Sequence, residues 1–238
     1  MPEKNNILEF SNAVLHGAAR GQTGLQGLTF KLSPGCLLLV KVEAGNEYLP
    51  LADAAEGLIF PKTGFIRWQG KTWHSLSPLA ELNARAQIGR VFEKNSWISN
   101  LNVIENVTLS TRHHSEKPER DIISEADLLA KYFGLPEVPR QRPAFVPKRE
   151  LKMAEWVRAL INKPLLLLLE RPEAGVPDED LPKLIDAVQT ALRRGAAAIW
   201  QTDRDAVWGT SVWPHEIRYR LRDAEMLSVE DKNHDSTF

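Results

Sequence analysis

The stretch that most constrains the fold runs from Pro34 to Leu58, PGCLLLVKVEAGNEYLPLADAAEGL. Its apolar run Cys36 to Val40 has the length and composition of a buried strand, Gly45-Asn46 predicts a tight loop, and Leu49 to Ala55 opens a helix. Strand, tight loop and helix in that order are the layout of a phosphate-binding loop, which in working form reads GxxxxGK[ST]. Here Val42 stands at the first glycine, Glu47 at the second, Tyr48 at the lysine and Leu49 at the hydroxyl. The layout is kept while the residues that would hold a phosphate are gone.

Two further apolar runs, Leu165 to Leu169 and Ala196 to Trp200, have the uninterrupted hydrophobicity of strands buried on both faces of a parallel sheet. Between them Leu181 to Arg194 is amphipathic at helical spacing and ends at Gly195, so the segment predicts a βαβ unit beside the phosphate-loop strand. At the amino end, Ile7 to Phe10 and Leu25 to Leu32 read as two antiparallel strands, with Leu28, Phe30 and Leu32 at period two. Together they predict a small antiparallel β layer beside an α/β core.

The middle of the chain is mostly helical in pattern. After a turn-rich hairpin from Gly57 to Gly70, short helices are expected at Ser77 to Ala86 and Val103 to Leu109, with a strand at Ile88 to Phe92. The linking residues Glu93 to Asn100 leave Trp97 exposed, and His113-His114 fall in a charged loop, a solvated pair with no spacing that argues for a metal. Asp121 to Phe133 places Ile122, Leu128, Leu129, Tyr132 and Phe133 on one helical face, capped by Gly134. Prolines 136, 139, 143 and 147 interrupt the helices until Arg149 to Ile161. The last nine residues are polar and expected to fray.

Bulk chemistry narrows the function classes. With 238 residues and 43% hydrophobic side chains the chain can fill a large core. Thirty basic residues against thirty-one acidic ones leave no overall field to draw in nucleic acid. Its one cysteine, Cys36, sits inside an apolar strand and suits a reducing compartment. No run approaches the roughly 20 apolar residues that span a bilayer, and the N-terminus lacks a signal-peptide pattern.

The order of these pieces resembles the nucleotide-binding cassette of ABC transporters over nearly the whole chain, Ile7 to about Arg222. PGCLLLV, GLIFPKTGFIRWQG, IGRVFEKNSWISNLNVIENVTL, VRALINKPLLLLLERPEAGV and IWQTD fall in register with that family's first strand, hairpin, Q-loop, signature helix with Walker B, and switch. Lipid-transport cassettes look closest. The resemblance implies an α/β, P-loop NTPase-like cassette with a RecA-like parallel-sheet core, an N-terminal antiparallel β layer and an α-helical subdomain. It also implies a single domain over 1–238, with the core about 1–92 and 162–225 and the helical subdomain about 93–161.

The family's functional positions carry other residues here. His16 takes the place of the aromatic that stacks on adenine, and Glu93 that of the Q-loop glutamine. The signature becomes Val146-Pro147-Lys148-Arg149-Glu150, whose Lys148 and Arg149 replace the glycines that let backbone amides reach a phosphate. Walker B ends in Glu170, at the magnesium aspartate, and Arg171, at the glutamate that activates water. Pro177 stands at the D-loop aspartate and Asp203 at the switch histidine. An arginine is no general base, because its pKa lies above about 12.

The resemblance thus implies an altered nucleotide pocket of Gly45, Asn46, Tyr48, Leu49, Glu93 and Glu170, no catalytic residue and no metal ligand, and leaves binding of ATP and magnesium open. Expected partners are a transmembrane permease and a second cassette, as homodimer or heterodimer, with the chain cytoplasmic and peripheral on the inner membrane face. Trp97 and Ile98 lie on the segment that in the family receives the permease. Two alternatives stay open: a divergent ATP-binding ATPase resting on Glu170, Lys148 and Arg149, and a soluble scaffold outside transport.

Overall fold

A computed structural model of the protein describes residues 6–17, 24–42, 49–94, 97–210, 212–213, 215–222 and 225–228. The phosphate-loop positions Gly45, Asn46, Glu47 and Tyr48 lie outside the described residues, as do the glycine-rich turn after Gly17 and the polar tail. Two sheets share one strand order. β1 (Leu8–Leu15), β2 (Leu25–Leu32), β4 (Thr63–Trp68) and β5 (Lys71–Thr72) form an antiparallel layer, with β1 between β2 and β4.

The second sheet is parallel across β9 (Glu216–Arg222), β3 (Leu37–Lys41), β8 (Ala197–Thr202), β7 (Leu166–Glu170) and β6 (Ile88–Val91). β10 (Glu225–Ser228) runs antiparallel to β9 and meets β2 through Glu225 and Gln26, joining the two sheets. The expected α/β core with an antiparallel layer is what the chain forms. β9 was not anticipated, although Ile217, Tyr219 and Leu221 alternate with charged residues at period two.

Uninterrupted apolar strands can serve two cores at once, because successive side chains leave opposite faces. Leu37, Leu39, Leu167, Leu169, Ala198 and Trp200 pack with the helices on one face. Leu38, Val40, Leu166, Leu168, Ala197 and Ile199 pack on the other, with α1 (Leu51–Ala55) and the antiparallel layer. The same alternation sends Glu170, two residues after Leu168, toward α1. Leu49, in the hydroxyl position of the phosphate loop, is 2% exposed and belongs to this second core.

α2 (Pro78–Arg85) precedes β6, and between β6 and β7 the chain forms α3 (Val103–His114), α4 (Glu119–Phe133) and α5 (Lys148–Leu160). α3 begins with a reciprocal cap, Asn102 and Glu105 each bonding the other's backbone N–H. It runs five residues beyond the expected end, so His113 and His114 close the helix instead of occupying a loop. Arg112, in the same last turn, suits the negative end of the helix dipole. α4 buries Ile122, Ala126, Ala130 and Phe133 and ends at Gly134, at φ 99°.

Leu128 and Tyr132, expected on the buried face of α4, point outward, with Leu128 64% exposed. The small residues Ala126 and Ala130 took the core side because α4 packs closely on α3 and α5. Trp97 also departs from expectation: it is half-buried against the helical core, and the Arg158 guanidinium lies 4.7 Å from its ring centroid. A cation over an indole face is favourable and holds the ring down.

β6 lies so close to α5 that a Cβ at Gly89 would run into the Ala159 carbonyl. Gly89→Ala is therefore expected to lower the unfolding free energy by about 1–3 kcal/mol. Gly209→Ala is the milder comparison, since its φ of −78° suits an L residue and a Cβ there would come no nearer than 3.2 Å to the Asp205 carbonyl. Urea denaturation of both variants checks the comparison.

Candidate functional site

Parallel register sets the carboxyl ends of β6, β7 and β8 side by side, with Val91 opposite Leu169 and Leu169 opposite Trp200. Crevices beyond such strand ends are where open α/β sheets place their ligands. The residues just past those ends are Glu93, Arg171 and Asp203. They meet: Arg171 reaches a Glu93 carboxylate oxygen at 3.3 Å and an Asp203 oxygen at 3.7 Å. The Arg171 and Glu93 side chains are 16% and 18% exposed.

Backbone geometry holds this trio in place. Arg171 sits at φ 43°, a left-handed conformation uncommon for a residue with a Cβ, and its N–H donates to the Gln201 carbonyl at 3.0 Å. On the far side the Lys41 ammonium, at the end of β3, donates to the Asp203 carbonyl and to Asp205, each at 2.7 Å. That bond and the Lys41 charge lower the Asp205 pKa.

A second cluster lies beneath. The Arg90 guanidinium, on β6, donates through Nε to Glu170 and through Nη1 to Glu56, each at 2.8 Å, and Nη1 lies 2.7 Å from an Asp53 carboxylate oxygen, both acids of the second pair being on or beside α1. Burial disfavours the Arg90 charge, yet its bond to Glu170 and the fields of Glu170, Glu56 and Asp53 carry its pKa above the ordinary arginine value. Burial pushes Glu170 up, opposed by Arg90 and reinforced by Asp53 and Glu93. Among the sequence-derived candidates, Glu170 pairs with Arg90 and Glu93 with the adjacent Arg171, whereas Leu49 is buried in the second core.

The donor set as arranged does not fit magnesium. A divalent ion takes carboxylate oxygens that are free to face it. The Glu170 oxygen on this side is already taken by a guanidinium, and the next residue, Arg171, is a second cation. Further along the same edge Glu173 is wholly buried and accepts from Trp200 Nε1 at 3.0 Å and from the Thr202 hydroxyl. Burial raises its pKa against those bonds.

The remaining altered positions sit elsewhere. In the signature segment Val146 is buried, Lys148 is exposed, and Arg149 makes two bonds of 2.8 Å to Asp180, the planar fork geometry that holds a carboxylate. Asp178, after Pro177, pairs with Arg204 at 2.6 Å. His16 is exposed at the end of β1. The 98–102 backbone is pinned by Asn106, whose side chain bonds Ile98 N–H and the Ile98, Leu101 and Asn102 carbonyls, while Ile98 itself stays 44% exposed.

Sequence reasoning missed Arg90, Asp53 and Glu56. One signal was present: an arginine inside the otherwise apolar strand IGRV must find a partner once the strand is buried.

A parallel sheet with an antiparallel layer and a helical insert between β6 and β7 is the fold of the ABC cassettes. The chain's homologues are ABC transporter ATP-binding proteins. It is 26% identical over 200 residues to the uncharacterized ABC transporter ATP-binding protein Rv0986 of Mycobacterium tuberculosis, covering 81% of this chain and 79% of that one. It is 28% identical over 175 residues to the cell division ATP-binding protein FtsE of Haemophilus influenzae, covering 73% and 79%. The solved dimeric structure of MJ0796, a bacterial ABC transporter cassette, superposes with a TM-score of 0.79 at 17% identity, covering 92% of this chain and 96% of that one. No protein-family model matches the chain. Among the described residues no helix is long and apolar enough to cross a membrane.

Charge reversal tests the ion trio. Arg171→Glu is expected to cost about 1–3 kcal/mol, between the values for exposed and buried pairs, because it sets three carboxylates together. Adding Glu93→Arg is expected to recover about half of that loss. A double-mutant cycle in urea measures the coupling.

Proposed function

We propose that this chain is a noncatalytic cassette of a membrane transport complex, acting as a structural or regulatory subunit. The observation that carries the reading is the pairing of Arg171 with Glu93 and Asp203. In the resembling family those positions hold the water-activating glutamate, the Q-loop glutamine and the switch histidine. Here a cation stands where the base belongs, and two acids satisfy it. Losing a single electrostatic donor from a transition state costs about 3 kcal/mol. In this chain the phosphate-loop lysine, the base and the switch histidine are replaced together.

The partners that support such a role are a transmembrane permease and a second cassette, either a competent one or another copy of this chain. Among the relatives, FtsE is described as a cell division protein and the Buchnera aphidicola protein LolD, 25% identical over 171 residues, as part of a lipoprotein-releasing system. Those descriptions favour a place on the cytoplasmic face of a membrane, with a lipid-related cargo as the narrower possibility. The arm that would meet the permease is the helical region about 93–161, set on a core of about 1–92 and 162–225. Ile98 is its exposed apolar contact, since Trp97 is engaged by Arg158.

Two measurements test the proposal. ATP hydrolysis should be undetectable in the purified chain and should stay so after Tyr48→Lys, because the base position remains an arginine; turnover in the unaltered chain would refute noncatalytic status, and turnover in Tyr48→Lys alone would refute the part given to Arg171. Mass spectrometry of the complex from detergent-solubilised membranes should find a permease, and Ile98→Asp should remove it. Equal recovery with Ile98→Asp would end the docking claim.

A further inference from the structure

We propose that the Arg90 guanidinium is the resident cation of this site, standing at the carboxyl end of β7 where a working cassette would hold a divalent metal. The inference rests on the assignment of Glu170 to the magnesium position and deepens the noncatalytic reading. Its support is geometric. Arg90 and Glu170 come from neighbouring strands, β6 and β7, and project to the same face, toward α1. Asp53 and Glu56 arrive from α1 and its end, so three carboxylates from three places in the sequence converge on one guanidinium at 2.7 to 2.8 Å.

Such convergence is what a cation binding site looks like from the ligand side. Three acids this close repel one another unless a positive charge lies among them. A metal ion supplies that charge only when bound, whereas Arg90 supplies it permanently through the backbone of β6. The Arg90 side chain is 6% exposed, and the Glu170 side chain 4%, so solvent screening contributes little. The ring of Phe92 lies 4.4 Å from the guanidinium carbon and closes another side of the group. The strand ends and α1 are thus tied without metal.

Thermal melting and manganese binding followed by electron paramagnetic resonance test this on the full chain. The wild-type protein should melt at the same temperature with magnesium, manganese or a chelator, and should leave millimolar manganese free. Arg90→Met should melt lower, regain stability with manganese or calcium, and bind manganese at least about tenfold more tightly than wild type, since it removes a positive charge from beside the acids. Arg90→Lys should keep the wild-type indifference.

Manganese or magnesium binding by the wild-type chain, or a folded Arg90→Met that ignores metals, would overturn the inference. If Arg90→Met does not fold, the wild-type titration decides. ATP turnover would refute the noncatalytic reading and leave this one standing; metal binding without turnover would do the reverse.

Discussion

The carboxyl edge of the parallel sheet depends on one buried guanidinium. Arg90 faces Glu170 across the β6–β7 pair and Asp53 and Glu56 across the gap to α1. Taking these groups out of water is costly, and the cost is offset only because each acid finds a donor at hydrogen-bond distance. The arrangement needs the strand register to be right, since a slip of one residue would turn Arg90 into the opposite core. Register in turn rests on the apolar strands, whose alternate side chains fill two cores. Packing fixes the frame, and the frame brings the charges together.

Above this cluster, Arg171, Glu93 and Asp203 form a second layer of compensation. The cations and acids of the site are each paired inside the chain, and Arg149 at the start of α5 is likewise held by Asp180. A nucleotide site works by leaving charge unpaired until the ligand arrives. Internal pairing of this kind favours a cassette whose value lies in its shape and contacts.

Much of the frame was legible in the residues. The runs at Cys36, Leu165 and Ala196 gave buried strands because only a sheet covered on both faces tolerates such composition, and Gly134 and Gly195 marked helix ends by their left-handed backbone. The errors have physical causes too. Leu128 and Tyr132 looked like core residues by hydrophobicity, but close packing of α4 selected Ala126 and Ala130. Trp97 looked exposed because its partner, Arg158, lies about sixty residues away. At the site, the replaced positions could be read one by one. Their mutual pairing could not, because the spatial neighbours of Arg90 and Arg171 come from distant segments.

The trio at Arg171 also bears on how this lineage can change. Reverting Arg171 to glutamate alone would crowd it against Glu93 and Asp203, and reverting Asp203 or Glu93 alone would strip a partner from Arg171. Each single exchange toward the family's residues thus breaks an ion pair before another can form. On the noncatalytic reading proposed above, the ion pairs act as a ratchet: once formed, they make the loss of catalytic chemistry self-preserving, whatever selection later favours.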